Sequence, residues 1–312
     1  MPSHITRALT AAVLTDLDLA GKLGKKGGET DLTIFDYKKN EFVLSAVVPH
    51  RFPEKLPPLL FSLAMADAVV ISARELSRTL AEEVVATDFI VPPAGVICTS
   101  GGVTADQLAP LLKGTHLEKY PVVNSHFEVL DFLTSVDRRY RRCDGTVVLV
   151  DQAFEVKGVG TVVLGKVHGG PVKVHQKLRI SPGGGEVQVR SIQIHDDDHP
   201  EGPVGTRVGL AVRGADSKLL PRGTVLDAGG VIANSDTVEG EFASNKFFKP
   251  AAAAGQVVHA LCGLDAAPGR IESIGGGKAK LKLERPIARV SGLPVVVASL
   301  DAPGSKIIGA FR

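Results

Sequence analysis

Residues 154–180, FEVKGVGTVVLGKVHGGPVKVHQKLRI, constrain the fold more than any other stretch of the chain. Val162, Leu164 and Val167 stand among small and polar neighbours, and Gly158, Gly160, Gly165, Gly169 and Gly170 punctuate them. Valine-rich runs broken by glycines read as strands joined by tight turns, here two strands and then a third. From Gly145 onward such runs recur about every ten residues and helical spacing is nearly absent, the grammar of small barrels. A high glycine content, with no Trp, suits short strands. Pro221-Arg222-Gly223 closes a first barrel. Strands near Gln256–Leu261, Gly269–Ile274, Ala279–Leu283 and Val295–Ala298 build a second β domain.

Upstream the pattern differs. Strand signals at Ala11–Leu14, Leu32–Phe35, Val43–Val48, Ala68–Ser72, Gly95–Cys98 and Val122–Val123 alternate with helical spacing at Leu56–Met65, Leu76–Phe89, Ala105–Leu112 and Phe127–Val136. Such alternation predicts a parallel, doubly wound sheet. The expected fold is therefore α/β plus all-β: an α/β domain over 1–142 and two β-barrels over 143–230 and 231–312. Net charge is +2, which excludes a strongly basic grip by the whole surface on nucleic acid but not a local basic face. Cys98, Cys143 and Cys262 form no CxxC, arguing against a disulfide framework or zinc knuckle and for a reducing cytosol. No apolar run is long enough to span a bilayer, and the N-terminus lacks a signal-peptide core, so a cytoplasmic protein away from membranes is expected.

Gly160-Thr161-Val162, Gly165-Lys166-Val167 and Val172-Lys173-Val174 follow one another in an order and spacing that resembles the second domain of translational GTPases. Elongation factor Tu and the selenocysteine-specific elongation factor are members of that superfamily. The resemblance continues through Val187–Gln193, Val204–Leu210, Arg213-Gly214 and Arg222–Leu226. It is looser over 236–312, where Ser305–Gly309 is similar to the last strand of the third domain. Such a barrel normally follows a GTP-binding domain, and Met65–Ile71, Leu80–Phe89 and Val123-Asn124-Ser125 resemble segments of one. The GTP-binding motifs themselves are not there. A P-loop, GxxxxGK[ST], uses glycine backbone to cradle phosphates, Lys to reach them and Ser/Thr to hold magnesium. After the first strand the chain reads Thr15-Asp16-Leu17-Asp18-Leu19-Ala20-Gly21-Lys22-Leu23-Gly24-Lys25. Neither Gly-Lys pair has the preceding glycine or the following Ser/Thr, and Leu17–Leu23 reads as a helix capped by Asp16. Pro49-His50-Arg51-Phe52 stands where the family's magnesium-binding Asp-x-x-Gly falls, and Thr99-Ser100-Gly101-Gly102 where its guanine-reading Asn-Lys-x-Asp falls.

The resemblance implies a degenerate, P-loop GTPase-like domain followed by two translation-factor barrels: a pseudo-GTPase without GTPase activity, catalytic residues, cofactor or metal. It implies a monomer that binds the ribosome or tRNA, not DNA, as a stress, hibernation or regulatory factor. The alternatives are an active GTPase with an atypical nucleotide site, or a protein-binding scaffold. Two groups of site residues follow. Arg138, Arg139, Arg141 and Arg142 would neutralise RNA phosphates, with Tyr140 available to stack, unless the run is a solvated helix end. By position in the family's barrel, Asp151, Phe154, His195 and Arg207 would line an aminoacyl-type pocket, or else its ordinary rim. His195-Asp196-Asp197-Asp198-His199 carries metal-ligand chemistry but reads first as a solvated acidic loop.

Overall fold

A computed structural model describes residue 5, residues 7–136 and residues 143–311. The first domain is a seven-stranded sheet wrapped by helices. Its strands are β1 (Arg7–Leu14), β2 (Lys25–Glu29), β3 (Thr33–Lys39), β4 (Phe42–Val48), β5 (Ala68–Ala73), β6 (Ala94–Thr99) and β7 (Val122–Val123), in spatial order β2-β3-β4-β1-β5-β6-β7. Its helices are α1 (Leu17–Leu23), α2 (Pro57–Met65), α3 (Arg78–Ile90), α4 (Ala105–Leu112) and α5 (His126–Ser135). The two-residue period of a strand explains the double winding. Leu9, Ala11 and Val13 of β1 join the core beneath α1 and α5. Ala12 and Leu14 join the core beneath α2, α3 and α4.

The sheet is mixed rather than wholly parallel. β4, β1, β5, β6 and β7 run parallel, while β3 lies antiparallel to β4 and β2 antiparallel to β3. Only Asn40 and Glu41 separate β3 from β4, with Asn40 at φ 54°. Two residues make a hairpin and are too few for a crossover helix. β2 has no apolar residue and is exposed throughout, which is why hydrophobic periodicity gave no sign of it.

The remaining chain forms two barrels. In the first, Val147–Val156, Gly160–Gly169, Arg207–Arg213, Glu186–Ile194, Lys177–Ser181 and Val225–Asp227 are neighbours in that order, and the last pairs back to the first. In the second, Ala233–Ser244, Lys278–Arg289, Asp265–Gly275, Val257–Cys262, Val295–Ala298 and Ile307–Phe311 close in the same way. The cores cross the domain junctions. Leu60, Ala64 and Ile90 of the first domain pack in one cluster with Leu261, Leu293 and Val296 of the second barrel. Ile5, Ala8 and Val43 pack with Val148 and Val167 of the first. Each such Leu, Ile or Val contributes about 1.5–3 kcal/mol by leaving water, so the three bodies bind one another through apolar surface as well as charge.

Candidate functional site

In a P-loop domain the phosphates sit between the first strand and the first helix. Here β1 ends at Leu14 and α1 begins at Leu17, leaving Thr15 and Asp16 as the whole connection. Thr15 takes φ 48°, which turns the chain at once into the helix. Asp16 caps α1, its Oδ1 accepting from the Leu19 amide at 2.8 Å. The same carboxylate accepts from Arg74 Nη2 at 2.6 Å, Arg74 Nε at 2.8 Å and Ser72 Oγ at 2.5 Å. Arg74 Nη1 also reaches Asp18 at 3.4 Å. Desolvation works to lower the Arg74 pKa, but Asp16 and Asp18 outweigh it and raise it. Gly101 lets this cluster close: at φ +62°, a Cβ there would stand 2.5 Å from the Arg74 carbonyl oxygen.

A carboxylate therefore occupies the helix N-terminus at which a phosphate would lie, and an arginine holds it there. Gly21 and Lys22 lie in the last turn of α1 and Gly24 ends it, so both Gly-Lys pairs sit at the opposite end of the helix. On the inner side of the turn the Thr15 hydroxyl donates to Glu83 Oε1 of α3. Burial, with repulsion from Asp16, pushes its pKa up to about 8 against the opposing Thr15 bond. At neutral pH Glu83 is a buried neutral acid.

Of the four barrel residues, the structure brings only Asp151 and Arg207 together, with Arg207 Nη2 donating to Asp151 Oδ2 at 3.0 Å. Arg222 Nη2 lies 2.9 Å from Asp151 Oδ1, and Arg222 Nη1 donates to both oxygens of Asp31, at 2.7 and 2.6 Å. Desolvation would raise the Asp31 pKa, and Arg222 reverses this and lowers it. The chain Arg207–Asp151–Arg222–Asp31 thus runs from the first barrel into the loop between β2 and β3. His195 stands apart at φ 50°, its Nε2 3.7 Å from Asp36 Oδ1 of β3. Burial lowers its pKa while Asp36 opposes that shift. Phe154 is exposed on its strand, opposite Val162. Asp197 pairs with Lys38 and Asp198 accepts from Gln193 at 3.0 Å, so the acidic loop diverges. Among the described residues no cluster of three His, Cys, Asp or Glu side chains is placed to hold a metal. Arg138, Arg139, Tyr140, Arg141 and Arg142 lie outside the described residues.

A further contact was also not foreseen from the sequence. Lys166 Nζ donates to Asp67 Oδ1 at 2.6 Å, with side chains 2% and 5% exposed. Asp67 Oδ2 accepts from the Thr10 amide at 3.1 Å, and the Thr10 hydroxyl donates to the Gly205 carbonyl at 2.8 Å. A buried ion pair so supported joins the first domain to the first barrel. Both residues stand in phrases already singled out, Met65–Ile71 and Gly165-Lys166-Val167, but only the fold brings them together.

No family model matches the chain. An uncharacterized protein of Methanocaldococcus jannaschii is 32% identical over 285 residues, covering 90% of this chain and 91% of that protein. The selenocysteine-specific elongation factor of the same organism is 26% identical over 251 residues, 72% of this chain and 53% of its own length. The chain thus spans about half of that factor. An elongation factor 1-alpha of Metallosphaera sedula is 37% identical over 93 residues, 30% of this chain and 21% of its own. Among solved structures, elongation factor SelB from Methanococcus maripaludis with a GTP analogue superposes with TM-score 0.79 at 20% identity, over 97% of this chain and 78% of that one. A bacterial selenocysteine-specific elongation factor superposes with TM-score 0.80 at 19% identity, over 98% of this chain and 58% of that one.

Proposed function

The chain belongs to the translational GTPase superfamily, and we propose that it acts there as a factor that engages the ribosome or tRNA without a GTP switch. The observation that carries this reading is the turn between β1 and α1. Two residues have too few amides to wrap a triphosphate, and the helix N-terminus is already satisfied by Asp16, itself clamped by Arg74. A phosphate brought there would meet the Asp16 charge at contact distance and would have to displace a bidentate ion pair. Neither the loop after β4 nor the loop after β6 supplies the Asp that the superfamily uses for magnesium or guanine.

On this reading the protein is not a GTPase, and its occupancy of a factor site follows concentration alone. The Lys166–Asp67 pair and the Arg222 network support the same picture, because they hold the first domain against the barrel by contacts that no nucleotide makes or breaks. The protein works in the cytoplasm as a monomer, without DNA or membrane partners. The test is sedimentation of the full chain with purified ribosomes, with and without tRNA, at low and high salt, in the presence of GTP, GDP or no nucleotide. Association that is equal in all three nucleotide conditions is expected. Association that requires GTP, or micromolar GTP or GDP binding by calorimetry, overturns the reading. No sedimentation under any condition removes the ribosome as partner.

A further inference from the structure

A cleft of about 790 Å³ opens between α3 and the second barrel, well within the size range of ligand sites. Its floor is apolar, with Phe52, Val85, Phe89 and Leu111. Its rim is cationic, with Arg78, Lys246, Lys249 and Lys306. The two carboxylates in the cleft are already engaged. Glu82 accepts from the Lys306 and Ile307 amides at 2.9 and 3.3 Å, and Asp88 accepts from the His116 amide at 2.8 Å and lies 2.8 Å from its Nδ1. The four cations have no ion-pair partner among the described residues. Between Lys246 and Lys249 the chain presents Phe247, 57% exposed, with Lys246 Nζ 5.0 Å from its ring centroid. Its neighbour Phe248 is buried and fixes the segment, and the Asn245 side chain accepts from the Phe247 amide at 3.0 Å.

A planar, exposed aromatic flanked by unpaired cations over an apolar floor matches a ligand with a flat apolar face and negative charge beside it. A nucleotide has both: bases stack on aromatic side chains, and lysines track the phosphates. An acidic stretch of peptide would satisfy the cations but brings no flat apolar face to the exposed Phe247 ring. We propose that this cleft holds an unpaired nucleotide of an RNA, the base stacked on Phe247 and the flanking phosphates on Lys246, Lys249 and Arg78. The inference deepens the reading above and rests on it for the choice of RNA as the source.

The test uses the full chain and fluorescein-labelled hexauridylate, read by anisotropy over a salt series, with UMP as the free-nucleotide competitor and a duplex RNA of matched length. Single-stranded RNA is expected to bind more tightly than duplex. Phe247→Ala should weaken it about ten- to a hundredfold, with Phe247→Tyr restoring binding. Lys246→Ala with Lys249→Ala should flatten the salt slope by about 0.7 for each lost phosphate contact. Circular dichroism of each variant shows that the fold is kept. Hexauridylate affinity unchanged in Phe247→Ala, duplex preferred over single strand, or binding of UMP without binding of hexauridylate overturns the inference. Hexauridylate binding that depends on Phe247, in a protein that does not sediment with ribosomes, sustains this site and removes ribosome binding. The converse leaves ribosome binding and removes this site.

Discussion

Replacing Glu83 by Gln deletes a single titration and keeps the shape of the side chain and a hydrogen bond to Thr15. The Glu83 pKa is raised from 4.5 to about 8, chiefly by burial under the β1–α1 turn and further by Asp16. The folded state therefore keeps a proton that the unfolded chain releases once the pH passes the ordinary Glu value. The sign follows. Stability is undiminished below the unfolded pKa, falls as the pH climbs toward the folded one, and levels off above it. At about 1.36 kcal/mol per pH unit, the wild type loses roughly 2.7 kcal/mol from this group between about pH 5.5 and about pH 7.5. Glu83→Gln has no such slope. Urea unfolding of both proteins at several pH values across that window gives the difference directly, and contributions from all other groups cancel in it. The variant should be the more stable protein at the upper end by roughly 2–3 kcal/mol relative to the lower end. A wild-type-minus-variant difference that does not move with pH refutes the buried neutral acid, and with it the packing assigned to Thr15 and Asp16.

Other outcomes follow from the same contacts. Lys166→Met leaves the Asp67 carboxylate buried without its partner and should cost about 3–5 kcal/mol, with Lys166→Met/Asp67→Leu recovering part of the loss. A cost for the single change below about 1 kcal/mol would mean that the pair is hydrated in solution. Changing Arg138, Arg139, Arg141 and Arg142 to Ala should flatten the salt dependence of RNA binding by up to about 0.7 per contacted phosphate. An unchanged slope with binding intact takes that segment out of the interface. Residues 144–312 expressed alone should melt cooperatively, although the fragment uncovers the barrel surfaces that Leu60, Ala64 and Ile90 cover in the whole chain. A broad, non-cooperative melt would show that the barrels need the first domain.

The barrels were legible because their grammar is local. Gly158, Gly160 and Gly170 take positive φ at turns beside the strands they join, so residue type and conformation coincide. The doubly wound sheet was legible from alternating periods, and Asp16 as a cap from its place before Leu17. What escaped reading was of two kinds. β2 carries no hydrophobic signal: its residues are Lys, Gly and Glu, and it joins the sheet by backbone pairing to β3. The charged clusters are long-range: Arg74 meets Asp16 across 58 residues, Lys166 meets Asp67 across 99 and Arg222 meets Asp31 across 191. Arg222 read as part of a closing turn, and nothing in its neighbours names Asp31 or Asp151. Phe247 beside Phe248 gave no hint of which ring is buried, because that depends on how the second barrel meets α3.

The connection from β1 to α1 differs from a phosphate cradle in length as well as in composition. Substituting residues at Thr15 or Asp16 changes what the turn displays but adds no backbone amides, and amides are what encircle a phosphate. A nucleotide site at this corner would need several residues inserted together, while Arg74 lost its anchor and Glu83 its cover. Breaking the Arg74 contact would leave the buried Asp16 carboxylate without its ion pair, at a cost in stability. Libraries of point variants should therefore yield stability and surface mutants here and no nucleotide binders. On the reading proposed above, the two-residue turn keeps nucleotides out by its length, which no single substitution changes.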